Sequence, residues 1–133
     1  MAELDWIYDE TRRLIQLTYT GPLTVDDMMR SRTVRRSLGL QPGTVRVLVD
    51  LRYADLSELT AAAFKSMETE RVERMGGHAD RAAGVFGRET DLGIAELWAD
   101  YRNRSAPGCT RIFMSRREAM AWLFSNEWTP RDV

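Results

Sequence analysis

The stretch "TVRVLVDLR", Thr44–Arg52, decides how the chain is read. It is a β-branched, nearly continuous apolar run, the pattern of a strand buried on both faces in the middle of a sheet. Such a strand needs a neighbour on each side. Upstream, "WIYDETRRLIQLTYTG" reads as two strands around a polar turn from Asp9 to Arg12. The second strand alternates, with Leu14, Gln16 and Thr18 facing one way and Ile15, Leu17 and Tyr19 the other. A hairpin therefore opens the domain. Gly21-Pro22 is expected to break that second strand, and Thr24 with Asp27 gives a capping-box start to a helix that carries Val25, Met28 and Met29 on one side. This helix is expected to end near Leu38-Gly39.

Downstream, Thr60 can cap a second helix in which Phe64, Met67, Val72 and Met75 fall near one face, closed by Gly76-Gly77. "RAAGVF" is a fourth strand. Thr90 or Asp91 is expected to cap a third helix, whose Ile94, Leu97, Trp98 and Tyr101 recur at i, i+3, i+4 and i+7. Pro107-Gly108 separates it from the strand "TRIFM", and Ser115 with Glu118 forms a capping box for a last helix bearing Met120, Leu123 and Phe124. The order β-β-α-β-α-β-α-β-α predicts an α/β fold: a five-stranded mixed sheet, hairpin at one side and parallel elsewhere, packed with four helices. Residues 1–133 read as one domain with a short tail from about residue 126, docked by Trp128.

Composition narrows the function classes. A chain of 133 residues with 44% hydrophobic and 29% charged residues is ordinary for one globular domain. A formal net charge of -1 offers no long-range attraction for nucleic acid or an anionic bilayer. The apolar runs "AAAF" and "AMAWLF" fall far short of the roughly 20 residues that span a membrane. Cys109 is the only cysteine, and "MAELDWIYDE" lacks the basic and apolar regions of a signal peptide, so a cytoplasmic location is expected. Lys65 is the sole lysine, and in so arginine-rich a chain a single arginine carries little weight.

The residues that could carry chemistry are few. "GVFGRETDLGIAELWADYR", Gly84–Arg102, runs from a strand through a glycine turn into a helix, where nucleotide-binding proteins often hold phosphate. Its G-x-x-G lacks a third glycine in register, and no Walker-type G-K-[ST] follows. Gly84 is better explained by close packing against a helix, and Gly87 by the turn. Asp50 sits at a strand end as a phosphoacceptor aspartate would, but the acidic pair and the lysine that such chemistry needs are absent from "TYTG" and "RIFMS". His78 is the only histidine, so neither a metal cluster nor a Ser-His-Asp set can be drawn, and no cofactor is expected. Cys109 reads as a lone buried thiol.

One constellation is more specific. In an α/β sheet the ligand crevice lies at the carboxyl ends of the strands, and there the order places Arg52, Arg88, Arg116 and Arg117, with Asp91, beside three helix N-termini. Cations in a first helical turn oppose the macrodipole, which an anionic ligand or partner would offset.

The hairpin, the first helix, "VRVLVDLRYADLSELT", "AAGVF" and the closing "RIFMSRREAMAWL" together resemble the SpoIIAA-like family, bacterial relatives of the STAS and CRAL-TRIO domains. The resemblance spans nearly the whole chain and rests on the strand-end "DLR" and the E-A-x-x-W-L segment after the last strand. It implies a SpoIIAA-like (STAS-like) sheet wound with helices, a cytoplasmic location and a small regulatory or binding role. Anti-anti-sigma members carry a phosphorylated serine before the second helix; the matching "DLSELTAAA" holds Ser57 and Thr60 without the Asp-Ser-Ser-Gly pattern. Kinship with CRAL-TRIO carriers implies an apolar ligand. The expected function is thus a non-enzymatic module that contacts a protein partner or a small amphipathic or anionic ligand, with a homodimer as a further candidate assembly. The alternative is a small enzyme acting on an anionic substrate, with Asp50 or Asp91 as its base.

Overall fold

The computed structural model describes residues 2–41, 43–65 and 80–130. In chain order they form β1 (Glu3–Asp9), β2 (Leu14–Pro22), α1 (Val25–Ser37) and β3 (Arg46–Asp55). Helix α2 begins with residues 61–65. There follow β4 (Arg81–Val85), a 3-10 turn (Glu89–Asp91), α3 (Leu92–Ser105), β5 (Thr110–Phe113) and α4 (Arg116–Leu123). The sheet order is β1-β2-β3-β4-β5, with β1 antiparallel to β2 and every other pairing parallel. The "VRVLVD" run is the central strand, as its two-sided burial requires. Met67, Val72, Met75, Gly76, Gly77 and His78 lie outside the described residues.

The strand alternation sorts two cores. Ile15, Leu17, Tyr19, Val49 and Leu51 point to one face, where Met28 and Val34 of α1, Phe64 of α2 and Trp98 and Ala99 of α3 cover them. Leu14, Leu48, Ala83 and Val85 point to the other, covered by Ala119 and Leu123 of α4. Three helices thus lie on one side of the sheet and the short α4 on the other.

Two local expectations need correction. Gly21-Pro22 does not break β2: after a register shift between Thr18 and Thr20 the strand continues, pairing Gly21 with Ala54 and Pro22 with Asp55. The extra residue of the shift lies on β3, between Asp50 and Tyr53, and beyond it Gly21, at a left-handed φ of 92°, carries the pairing on to Asp55. Nor does Thr90 or Asp91 cap α3. The chain enters that helix through the 3-10 turn, Asp91 is already right-handed helical at φ -89° and ψ -5°, and no side-chain cap forms. An N-cap needs extended backbone, which this path denies. The other starts agree with the sequence in their caps: Thr24 and Asp27 form a reciprocal capping box, the Thr60 hydroxyl accepts the Ala63 amide at 3.2 Å, and Ser115 accepts the Glu118 amide at 3.3 Å, the serine half of the expected capping box.

Two buried carboxylates fix α1 at its ends. Asp27, fully buried, accepts the Ala2 amide at 3.0 Å, the Thr24 amide at 3.0 Å and the Thr24 hydroxyl at 2.9 Å. Asp80, just before β4, accepts the Gly43 amide at 2.8 Å and the Val45 amide at 3.4 Å and pairs with Arg35 near the end of α1. Removing one partner of a buried pair leaves the other charge uncompensated. Asp80→Asn should therefore lower stability by about 3 to 5 kcal/mol, read from urea unfolding followed by circular dichroism.

Candidate functional site

Between its pinned ends, α1 bridges over the sheet and leaves a cavity of about 100 Å³. Its floor is apolar: Ile15 and Leu17 of β2, Val47 and Val49 of β3, and Ala82 of β4. Met28, Phe64 and Trp98 wall it from the three helices above. The half-buried Ser31, Arg32, Arg35, Tyr101 and Arg102 supply a polar rim toward solvent, with buried Asp80 beside Arg35. Among the described residues the rim holds three guanidiniums and one carboxylate. It lies toward the amino ends of the parallel strands, because the second halves of α1 and α3 pack above where β3 and β4 begin.

Each rim residue has a local reason for its position. Met28, Arg32 and Arg35 stand at i, i+4 and i+7 on α1, so the stripe that starts apolar continues in arginine. On α3 the stripe of Ile94 and Trp98 continues in the same way to Arg102, whose guanidinium carbon lies 5.6 Å from the Trp98 ring centroid. Arg102 Nε also donates to the Thr110 hydroxyl at 2.8 Å. Tyr19 lines the cavity and donates its hydroxyl to the Asp27 carbonyl at 3.0 Å. Burial raises the Tyr19 phenol far above its ordinary pKa, so it stays a neutral donor.

The residues expected at the carboxyl ends lie away from this cavity: none of Arg52, Arg88, Asp91, Arg116 or Arg117 lines it. Arg52 forms a two-pronged pair with Asp50, at 3.0 Å through Nε and 2.8 Å through Nη2. Arg116 donates to the Gln16 side-chain Oε1 at 2.6 Å and lies close enough to Asp50 to stabilise its charge. Arg88 Nε meets Asp91 at 3.3 Å across the 3-10 turn, and Arg117 is exposed. Asp50, Arg52 and Arg116 thus form one cluster, while Arg88 and Asp91 form a separate pair. Ser57 and Thr60 are both exposed at the approach to α2.

Gly84 and Gly87 resolve the strand-to-helix stretch. A Cβ on Gly84 would lie 2.7 Å from Cζ3 of Trp98, so the glycine is there for close packing against α3. A Cβ on Gly87 would lie 3.1 Å from the Arg52 carbonyl oxygen, which makes that glycine a point of close approach to β3.

Comparison with known proteins agrees with this architecture. The chain superposes on the crystal structure of an uncharacterized protein of the DUF3478 family from Shewanella loihica PV-4, described as having a SpoIIAA-like fold. The TM-score is 0.58 at 18% identity, over 92% of this chain and 93% of that one. The fold is SpoIIAA-like. No family model and no curated protein matches the sequence. Within the SpoIIAA-like fold of this chain, no helix among the described residues is long and apolar enough to cross a membrane.

The state of Asp50 bears on catalysis. Burial pushes its carboxyl pKa up, but the Arg52 guanidinium and backbone amide, aided by Arg116, outweigh that and hold it below the usual aspartate value. A general base for neutral pH needs the opposite shift. Because the folded-state pKa lies below the unfolded one, near 3.8, the stabilisation is complete above that value and disappears as pH falls through the folded one. Asp50→Asn should flatten this part of the acid limb, seen in urea midpoints measured between about pH 5 and pH 2. Arg88→Ala, by contrast, removes an exposed contact and should change stability by no more than about 0.5 kcal/mol in the same assay.

Proposed function

We propose that this protein is a non-enzymatic binding module for a small amphipathic anion. The ligand's apolar body lies on the sheet beneath α1, and its charged head meets the guanidiniums of Arg32, Arg35 and Arg102. The observation that carries this reading is the lining of the cavity, an apolar floor closed by an arginine-bearing rim. Small-molecule sites characteristically combine an apolar lining with a few convergent polar groups. The SpoIIAA-like fold agrees with a binding role, and the depressed pKa of Asp50 weighs against the enzyme alternative.

The site of this proposal is not the carboxyl-end crevice expected from topology. There the arginines already have internal acceptors: Asp50 for Arg52, Asp91 for Arg88 and Gln16 for Arg116. An anion at that edge would compete with them, whereas the apolar cavity floor can also bury the body of an amphipathic ligand.

Native mass spectrometry of protein purified from its host should reveal a retained small anion, and calorimetric titration with butyrate should show saturable binding. Val49→Phe, which fills the floor, should abolish the titration while leaving the melting curve cooperative. Arg32→Gln should weaken it about tenfold or more, the loss of a charge-assisted contact. Undiminished binding by both variants would move the ligand elsewhere. Turnover of an ester, phosphate or nucleotide by the pure protein, abolished by one polar substitution, would overturn the non-enzymatic reading.

A further inference from the structure

The two edges of the sheet are finished differently, on surfaces apart from the cavity. At the β5 edge the Asn103 side chain stands where a further strand would: its amide donates to the Thr110 carbonyl and its Oδ1 accepts the Thr110 amide, both at 2.9 Å. At the other edge β1 runs for seven residues, and among the described residues only β2 pairs with its backbone. We infer that β1 is a docking edge, and that it takes up an extended segment of a partner protein, with basic and apolar residues in alternation, as a sixth strand of the sheet.

A bare edge offers its amides and carbonyls to any strand, so the side chains of β1 decide which strand fits. The register with β2 sorts them. Leu4, Trp6 and Tyr8 stand opposite Tyr19, Leu17 and Ile15 on the face that α1 covers, and Glu3, Asp5, Ile7 and Asp9 stand on the other. On the first face Trp6 is 42% exposed and, with Leu4, Thr33, Val34 and Ser37, lines an open groove of about 260 Å³ beside α1. The charged residue of that groove, Arg30, is engaged by Asp27 at 3.6 Å and by the Ala2 carbonyl at 2.9 Å. The apolar side chains of an added strand would rest against the indole there.

On the second face Asp9 pairs with Arg12 at 2.7 Å, whereas Glu3 and Asp5 are exposed and meet no cation among the described residues. Lysine or arginine at alternate positions of the added strand would meet them, because opposite charges across a strand pair stabilise it and like charges destabilise it. The same rule disfavours a second copy of the chain as the occupant. An antiparallel β1 pair centred on Trp6 would set the Glu3 of each copy against the Asp9 of the other.

The test uses the full chain and three fluorescein-labelled peptides: TKVKVKVT, the scrambled TKKKVVVT of the same charge, and the acidic TEVEVEVT. Fluorescence anisotropy should show saturable binding of TKVKVKVT, about tenfold or more weaker binding of the scrambled peptide and none of the acidic one. Hydrogen exchange should show the bound peptide slowing amides between Glu3 and Asp9, which adhesion by charge alone would leave unchanged. Glu3→Lys combined with Asp5→Lys, at exposed positions, should leave the melting curve unchanged, weaken TKVKVKVT about tenfold or more and create binding of TEVEVEVT. Trp6→Ser should weaken TKVKVKVT about threefold or more by removing the apolar contact. Equal binding of the scrambled peptide, or binding without slowed exchange in β1, would overturn the docking edge. So would a dimer of the chain alone whose β1 amides slow as concentration rises, which would give the edge to a second copy.

Discussion

Asp80 is the constraint on which the arrangement turns. Its carboxylate is buried at the amino edge of the sheet, where a lone charge would be strongly unfavourable. It is tolerated because the Gly43 and Val45 amides and the Arg35 guanidinium surround it. Those partners come from the loop before β3, which supplies both amides, and from the far end of α1. One carboxylate at the entrance to β4 therefore ties that loop and α1 to the sheet and fixes where α1 ends above it. Asp27 does the same at the other end, joining the start of β1 to the first turn of the helix. Held at both ends, α1 spans its middle without filling the space below with large apolar side chains, and that space is the cavity.

The arginines of this chain show how environment divides one residue type into different roles. Arg46 and Arg81 are register partners at the starts of β3 and β4. Arg46 donates to the Leu123 carbonyl at 2.8 Å and Arg81 to the Trp122 carbonyl at 2.9 Å, so both satisfy the carbonyl end of α4, where the helix dipole favours positive charge. Arg81 also stacks 3.6 Å from the Trp122 ring centroid, and Arg46 lies between Phe124 and Trp128, which docks the segment after α4. Arg52 serves Asp50. Arg32, Arg35 and Arg102 border the cavity.

Much of the fold was legible because periodicity is a local consequence of burial. The two-sided apolar run at Thr44–Arg52 is the central strand, and the alternation of Leu14 to Tyr19 divides between two cores as it reads. The stripe at Ile94, Leu97, Trp98 and Tyr101 packs on the sheet, and Gly84 admits the indole. The cavity was less legible, although its signal was present. On α1 the face that begins with Met28 continues in Arg32 and Arg35, and on α3 the face of Trp98 continues in Arg102. A charged residue on a core-facing stripe marks a place where the core does not close.

By itself the sequence determined the type and order of the elements, the strand at the centre of the sheet and the helices capped by Thr24, Thr60 and Ser115, since each depends on residues within a few positions of one another. Only the tertiary structure decided which arginines border the cavity and which partners each arginine meets. That outcome depends on pairings across long separations, Arg35 with Asp80 and Arg116 with Gln16 among them. It also decided how α3 begins, because the path from β4 past the Arg52 backbone leads the chain into a 3-10 turn where local sequence favoured a side-chain cap. Local preference is weak against the packing of a whole sheet, and the cavity is a property of that packing.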